Sequence, residues 1–203
     1  MIRKYFLSVH TIMKRKNMSK KNLSPVDYKA LETLFKKHGY ADFKWVDPKR
    51  IVVSQWVRMK CMYGCKDYGR VASCPPNVPS VSECRKFFDE YKTVAMFHFE
   101  KKLDKPEDRR PWGIQVNQGL LDLEREVFLS GYHKAFLLLM YPCRICGECS
   151  SMKVDCKNPK FARPTPEAMA IDVFSTARRY GYPIKVLSDY GQTMNRYAFL
   201  FIE

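Results

Sequence analysis

Residues 135–141 read AFLLLMY and, after Pro142, residues 143–156 read CRICGECSSMKVDC. Seven apolar residues without polar alternation predict a buried strand in a sheet covered on both faces. That strand sets the fold class, because a sheet with no wet face needs helices on each side. It also sets the chemistry, since it runs straight into a loop dense in thiols. Cysteines recur at every third position, Cys143, Cys146 and Cys149, and a fourth follows at Cys156.

A C-x2-C-x2-C run with a separate fourth ligand is the spacing of iron–sulfur ferredoxin loops, where successive thiolates point at different irons. Structural zinc draws instead on C-x2–4-C pairs parted by a longer loop, and it stands as the alternative. Gly147, between the second and third ligands, lets the backbone approach a cluster closely or take positive φ. The expected occupant is a [4Fe–4S] cluster.

Upstream, residues 61–84 read CMYGCKDYGRVASCPPNVPSVSEC and hold the other four cysteines, Cys61, Cys65, Cys74 and Cys84. Gly64, Gly69, Pro75, Pro76 and Pro79 mark a structured loop without regular elements. Gaps of eight and nine residues are not a standard run. A second [4Fe–4S] cluster, a zinc ion, and a site using only some of these thiols all remain open. Two groups of four with none left over favour two clusters. Cys84 also has a plainer reading. Ser80 and Glu83 form a capping box, which puts Cys84 in a helix's first turn, on one face with Val81, Phe87, Phe88 and Tyr91, as a small core residue. Tyr63, Tyr68 and Arg70 are the polar residues nearest this group.

Other cofactor signatures fail. Cys61 and Cys65 open like a radical-SAM CxxxCxxC loop, but Tyr68 occupies the third position. There is no P-loop, no GxGxxG after a strand, and no HExxH. His10, His38, His98 and His133 are scattered away from the cysteine runs, so a mixed Cys/His site is not expected.

The remaining elements follow from caps and periodicity. Ser24, Pro25 and Asp27 open a first helix that His38 and Gly39 close. One or two strands are expected between Phe43 and Lys60, broken at Asp47-Pro48. A helix from Ser80, a strand over Thr93–Phe99 and a helix over Ile114–Ser130 come next. A helix over Pro166–Tyr180, with Thr165 as cap and Glu167 facing its dipole, precedes a hairpin of Ile184–Leu187 with Tyr197–Ile202. The expected fold is α/β (or α+β): a mixed sheet with helices packed on it and two cysteine-rich metal-binding loops at one edge.

Of the net charge of +15, seven units sit in residues 1–23, which contain no acid, leaving +8 for the other 180 residues. Two all-cysteine clusters, each about −2, reduce that to roughly +4, a charge common in globular proteins. Nucleic acid is therefore not the expected partner. Residues 1–23 read as a disordered basic tail or an over-extended start, given Met13 and Met18, and residues 24–203 as one cysteine-rich metal-binding domain. No apolar run approaches bilayer length and no signal peptide is evident, so the expected compartment is the cytoplasm. In that compartment eight cysteines are better explained by metal than by disulfides.

Two clusters most simply serve one-electron transfer to a redox protein partner, with Arg144, Lys153, Lys157 and Arg163 raising the second site's potential or docking an acidic protein. A cluster enzyme with an open iron follows instead if Cys84 or Cys156 is not a ligand. A structural zinc protein presenting a binding surface is the third reading.

CMYGC with YGR and CPP in the first region, GYHKA before the central strand, CRICGEC, and ARPTPEAMAIDV before the last helix together resemble an uncharacterised family. It is a domain-of-unknown-function family of cysteine-rich predicted metal-binding proteins from anaerobic bacteria and archaea. The resemblance covers residues 25–203. This chain has Thr165-Pro166 where the family usually has Ser-Met, and Ala170 near a usual glycine; neither departure touches a cysteine. The resemblance implies metal binding through these cysteines, as iron–sulfur clusters in an anaerobe's cytoplasm. It also implies that Arg163, Glu167 and Asp172 belong to the family pattern. The residues alone make Glu167 a dipole partner and Arg163 a surface residue.

Overall fold

The structure is a computed structural model, and it describes residues 26–203. The expectations for residues 1–23 and for Ser24 and Pro25 lie outside the described residues. Four strands, β1 (Phe43–Val46), β2 (Val94–Lys101), β3 (Phe136–Leu138) and β4 (Met194–Phe201), form one sheet in the order β1-β2-β4-β3. Five α-helices accompany it: α1 (Tyr28–Lys37), α2 (Gln55–Gly64), α3 (Val81–Asp89), α4 (Arg109–Leu129) and α5 (Val173–Arg179).

Alternation along β4 shows how the sheet is covered. Tyr197, Phe199 and Phe201 pack with Phe88 of α3 and with Val173 and Ala177 of α5. Ala198, Leu200 and Ile202 pack with Leu31 and Phe35 of α1 and with Leu120, Leu123 and Val127 of α4. Both faces are dry, as the apolar run at 135–141 requires, and the α/β (α+β) class holds.

The sheet is antiparallel throughout rather than mixed. β2 and β3, joined through α4, run in the same direction but never pair, because β4 inserts between them. The βαβ rhythm of the sequence is therefore real in direction and absent from the hydrogen bonding. The expected terminal hairpin is also missing: β4 pairs along its whole length with β2, and 184–187 is irregular.

Two more expectations change. The second half of 43–60 is helix α2; only Val53 keeps a strand-like bridge, to Ile171. The last helix starts at Val173, where the Asp172 carboxylate accepts the Ser175 N–H at 2.9 Å and the Ser175 hydroxyl at 2.6 Å. Ahead of it Ala170 takes φ +62°, a left-handed conformation that a continuous helix excludes. Glu167 therefore meets no helix dipole. The α1 cap is Asp27, which accepts from Ala30 N–H at 2.9 Å, and the Ser80–Glu83 capping box of α3 is present as read.

β3 positions the thiol-rich segment. Beyond it, the Leu139 N–H donates to Pro164 O at 2.8 Å, so the two ends of segment 139–164 meet. Gly113 of α4 lies under the Tyr141 ring; a Cβ there would come within 2.5 Å of it. Glu124 of α4, 5% exposed, accepts the Leu137 N–H at 2.8 Å and pairs with Arg163 at 2.9 Å. Arg163 is thus an ion-paired tie between the end of the segment and the sheet.

Candidate metal centre

Cys143, Cys146, Cys149 and Cys156 lie on the irregular segment after β3 and are all half-buried free thiols. The four line one cavity of about 600 Å³ with Tyr141, Arg144 and Asn158. Burial pushes the Cys143 thiol up, the Ile145 backbone pulls it down by hydrogen bonding, and the charges of Cys149, Cys156 and Cys146 push it up again. The four sulfurs are thus within electrostatic reach of one another. Two already accept N–H donors: Asn158 Nδ2 reaches Cys146 Sγ at 3.0 Å, and the Ala72 N–H reaches Cys149 Sγ at 3.3 Å. Such donors stabilise thiolate over thiol and are the outer-shell contacts metal–sulfur sites use.

The first group comes from other elements. Cys61 stands in the last turn of α2, Cys65 is that helix's C-cap, and Cys74 is buried in the turns that follow. Burial pushes the Cys74 thiol up to about 12, with Asp67, Cys65 and Cys61 acting in the same direction and Arg144 against them. Cys61 is raised by burial, then by Cys65 and by Glu167, with Arg58 opposing. Three thiols therefore share this neighbourhood. Cys84 is not among them. It is 0% exposed in the core beside α5, with its thiol toward Pro79 O at 3.6 Å and Met169 Sδ at 4.0 Å. The small-core-residue reading describes its place.

The two thiol loops are interlocked. Arg144, beside Cys143, pairs with Asp67 of the first loop at 2.6 Å, and both side chains are largely buried. Asn77 Nδ2 donates to Ser151 O at 2.7 Å. Together with the Ala72 contact, these bonds run between the loops in both directions. Of the polar residues read as flanking the first group, Tyr63 is 78% exposed, and Arg70 instead lines the second group's cavity. Of the cations read as available around the second group, Arg144 and Arg163 are ion-paired, which leaves Lys153 and Lys157 exposed.

Among the described residues no three His, Cys, Asp or Glu side chains already stand in metal-binding geometry. The donor set nevertheless fits a thiophilic metal: free thiols gathered on one cavity, with N–H groups aimed at the sulfurs. Asn158, Ala72, Asp67 and Glu167 were not picked out from the sequence for these roles. Asn158 lies two residues after Cys156, where a local donor could have been suspected; the contacts from Ala72 and Asp67 cross between distant loops and leave no local signal. No helix among the described residues is long and apolar enough to cross a membrane.

No curated protein and no solved structure matches the chain. Residues 44–202 match the family described as Predicted metal-binding protein (DUF2284), a span containing all eight cysteines. The chain belongs to that predicted metal-binding family.

Proposed function

We propose that this protein carries [4Fe–4S] clusters at both thiol groups and passes single electrons to a protein partner in the cytoplasm. The observation that carries the reading is the cavity shared by Cys143, Cys146, Cys149 and Cys156, with N–H groups of Asn158 and Ala72 aimed at two of its sulfurs. A cluster bound there supplies reversible one-electron storage at a potential tuned by hydrogen bonding and nearby charge. The chain's own residues do the rest. Four thiols hold the second site, and Cys61, Cys65 and Cys74 hold the first. Asn158 and Ala72 stabilise negative charge on sulfur, and the Arg144 guanidinium lies between the two groups. Exposed Lys153 and Lys157, with the exposed Asp155 between them and beside Met152 at 54% and Val154 at 85% exposure, form a partly apolar rim with two cations to one carboxylate, offered to an acidic redox protein.

Anaerobic purification followed by iron, sulfide and zinc analysis tests this. About eight iron and about eight sulfide per chain are expected. Stoichiometric zinc without sulfide overturns the reading and leaves a structural zinc protein.

One observation favours a second reading, a cluster-dependent enzyme. With Cys84 in the core, the first group offers three thiols, two of which, Cys61 and Cys65, line a cavity of about 260 Å³ together with Glu167. An iron left with an open position there is a Lewis acid. A small molecule that perturbs the spectrum of one cluster alone supports it; spectra of both clusters insensitive to every added ligand sink it.

A further inference from the structure

A cavity of about 460 Å³ opens where the start of α4, the start of β4 and the segment 184–190 meet. That volume is in the range of small-molecule sites. Its walls carry the guanidiniums of Arg109 and Arg196, and neither forms an ion pair among the described residues. Arg109 Nε is buried with no hydrogen-bond partner, and its guanidinium carbon lies over the Tyr190 ring, 5.4 Å from its centroid. Arg196 is held below the ordinary arginine range, first by burial, with Glu167 opposing and Arg109 adding a smaller push in the direction of burial. Two neighbouring guanidiniums that make no hydrogen bond among the described residues, one of them with a buried Nε, form an arrangement that an oxyanion satisfies.

The rest of the lining refines the ligand. Lys185 adds a third cation against the two carboxylates Glu167 and Asp189, and Asp189 already uses an oxygen on the Gly191 N–H at 2.8 Å. Met140, Val173, Phe174 and Ile184 supply an apolar floor for a short hydrocarbon body. We propose that this cavity binds the carboxylate or phosphate head of a small molecule, clasped between the forks of Arg109 and Arg196. Glu167, Val173 and Phe174 also wall the smaller cavity that contains Cys61 and Cys65. A molecule anchored here therefore sits one wall away from the first thiol group.

The site does not depend on metal, because both arginines stand on α4 and β4 rather than on the thiol loops. Calorimetric titration of the full chain with inorganic phosphate, and separately with pentanoate, at constant ionic strength in chloride, tests it. At least one anion is expected to bind saturably at one site per chain, with or without metal, and about tenfold or more weakly in Arg109→Gln and in Arg196→Gln. The preferred anion identifies the head group. Arg196→Lys, which keeps the charge and loses the fork, covers a folding failure of the glutamine variant and is expected to weaken binding as well. Arg125→Gln, exposed on the same helix as Arg109, is expected to bind as the parent does. Absence of saturable binding for both anions, or equal affinity in the arginine variants and the parent, overturns the proposal.

Discussion

Cys74 and Cys84 are both buried, at 8% and 0% exposure, yet their surroundings differ. Cys74 is within reach of Cys61 and Cys65, and their charges raise its thiol. Cys84 meets Met169 and the Pro79 carbonyl, and the charges acting on it come from Arg58 and Glu83. On the proposed three-thiol first site, removing the Cys84 sulfur is expected to cost packing and no ligand. Cys84→Ala is expected to keep the parent's full metal content while losing about 1 kcal/mol of stability. Cys74→Ala is expected to lose the first group's metal. Iron and sulfide per chain, with urea midpoints, separate the two outcomes; a Cys84→Ala protein short of metal would return that residue to the ligand set. The grouping of Cys143, Cys146 and Cys149 was readable because those thiols are local in sequence. The place of Cys84 was not, since spacing cannot tell whether a helix turns a side chain toward a loop or into the core; the apolar stripe around it pointed to the buried position it occupies.

Among the elements, segment 139–172 is long and irregular, and its exit is tied to the sheet by side chains rather than by ladder bonds alone. Arg163 donates to Glu124, and Glu124 also accepts the β3 backbone N–H of Leu137. Arg163→Ala leaves a carboxylate that is 5% exposed without its cation. Allowing for partial solvation on the arginine side, whose side chain is 21% exposed, the expected loss is about 2–3 kcal/mol. Glu124→Gln keeps the acceptor for Leu137 and is expected to cost less. Equal urea midpoints for Arg163→Ala and the parent would show that the tie holds nothing. Caps and stripes made α3 and α4 legible. They did not reveal α2, because Ile51, Val52 and Val53 precede it with strand-like side chains and Trp56 and Met59 are half-exposed on it, at 50% and 42%. Position 170 misled in the other direction: a good helix-forming alanine adopts φ +62°, immediately before the Val53–Ile171 bridge.

Taken as a whole, the molecule buries phenols on both sides of its sheet. Burial raises Tyr40 and Tyr91 from the usual 10.0 to about 12. Tyr182 and Tyr197 are raised further, by burial and by the Asp42 carboxylate, to which the Tyr182 hydroxyl donates at 2.9 Å. An unfolded chain releases these protons near pH 10, while the folded chain holds them to higher pH. Between about pH 10 and pH 12 the unfolded state therefore binds fewer protons, so this contribution to stability is complete below that window and is lost as pH rises through it. Urea melts from about pH 8 to about pH 12 are expected to show a steep decline beginning near pH 10; a flat profile contradicts the burial of these phenols. The Asp67–Arg144 pair has a consequence for assembly. Because it pins the two thiol loops together, on the proposed two-site reading drawing either loop onto a metal would prearrange the other, and loading is expected to be cooperative. Native mass spectra of partly reconstituted protein are expected to contain empty and fully loaded chains with few half-loaded ones, and Asp67→Asn is expected to fill in that missing middle population.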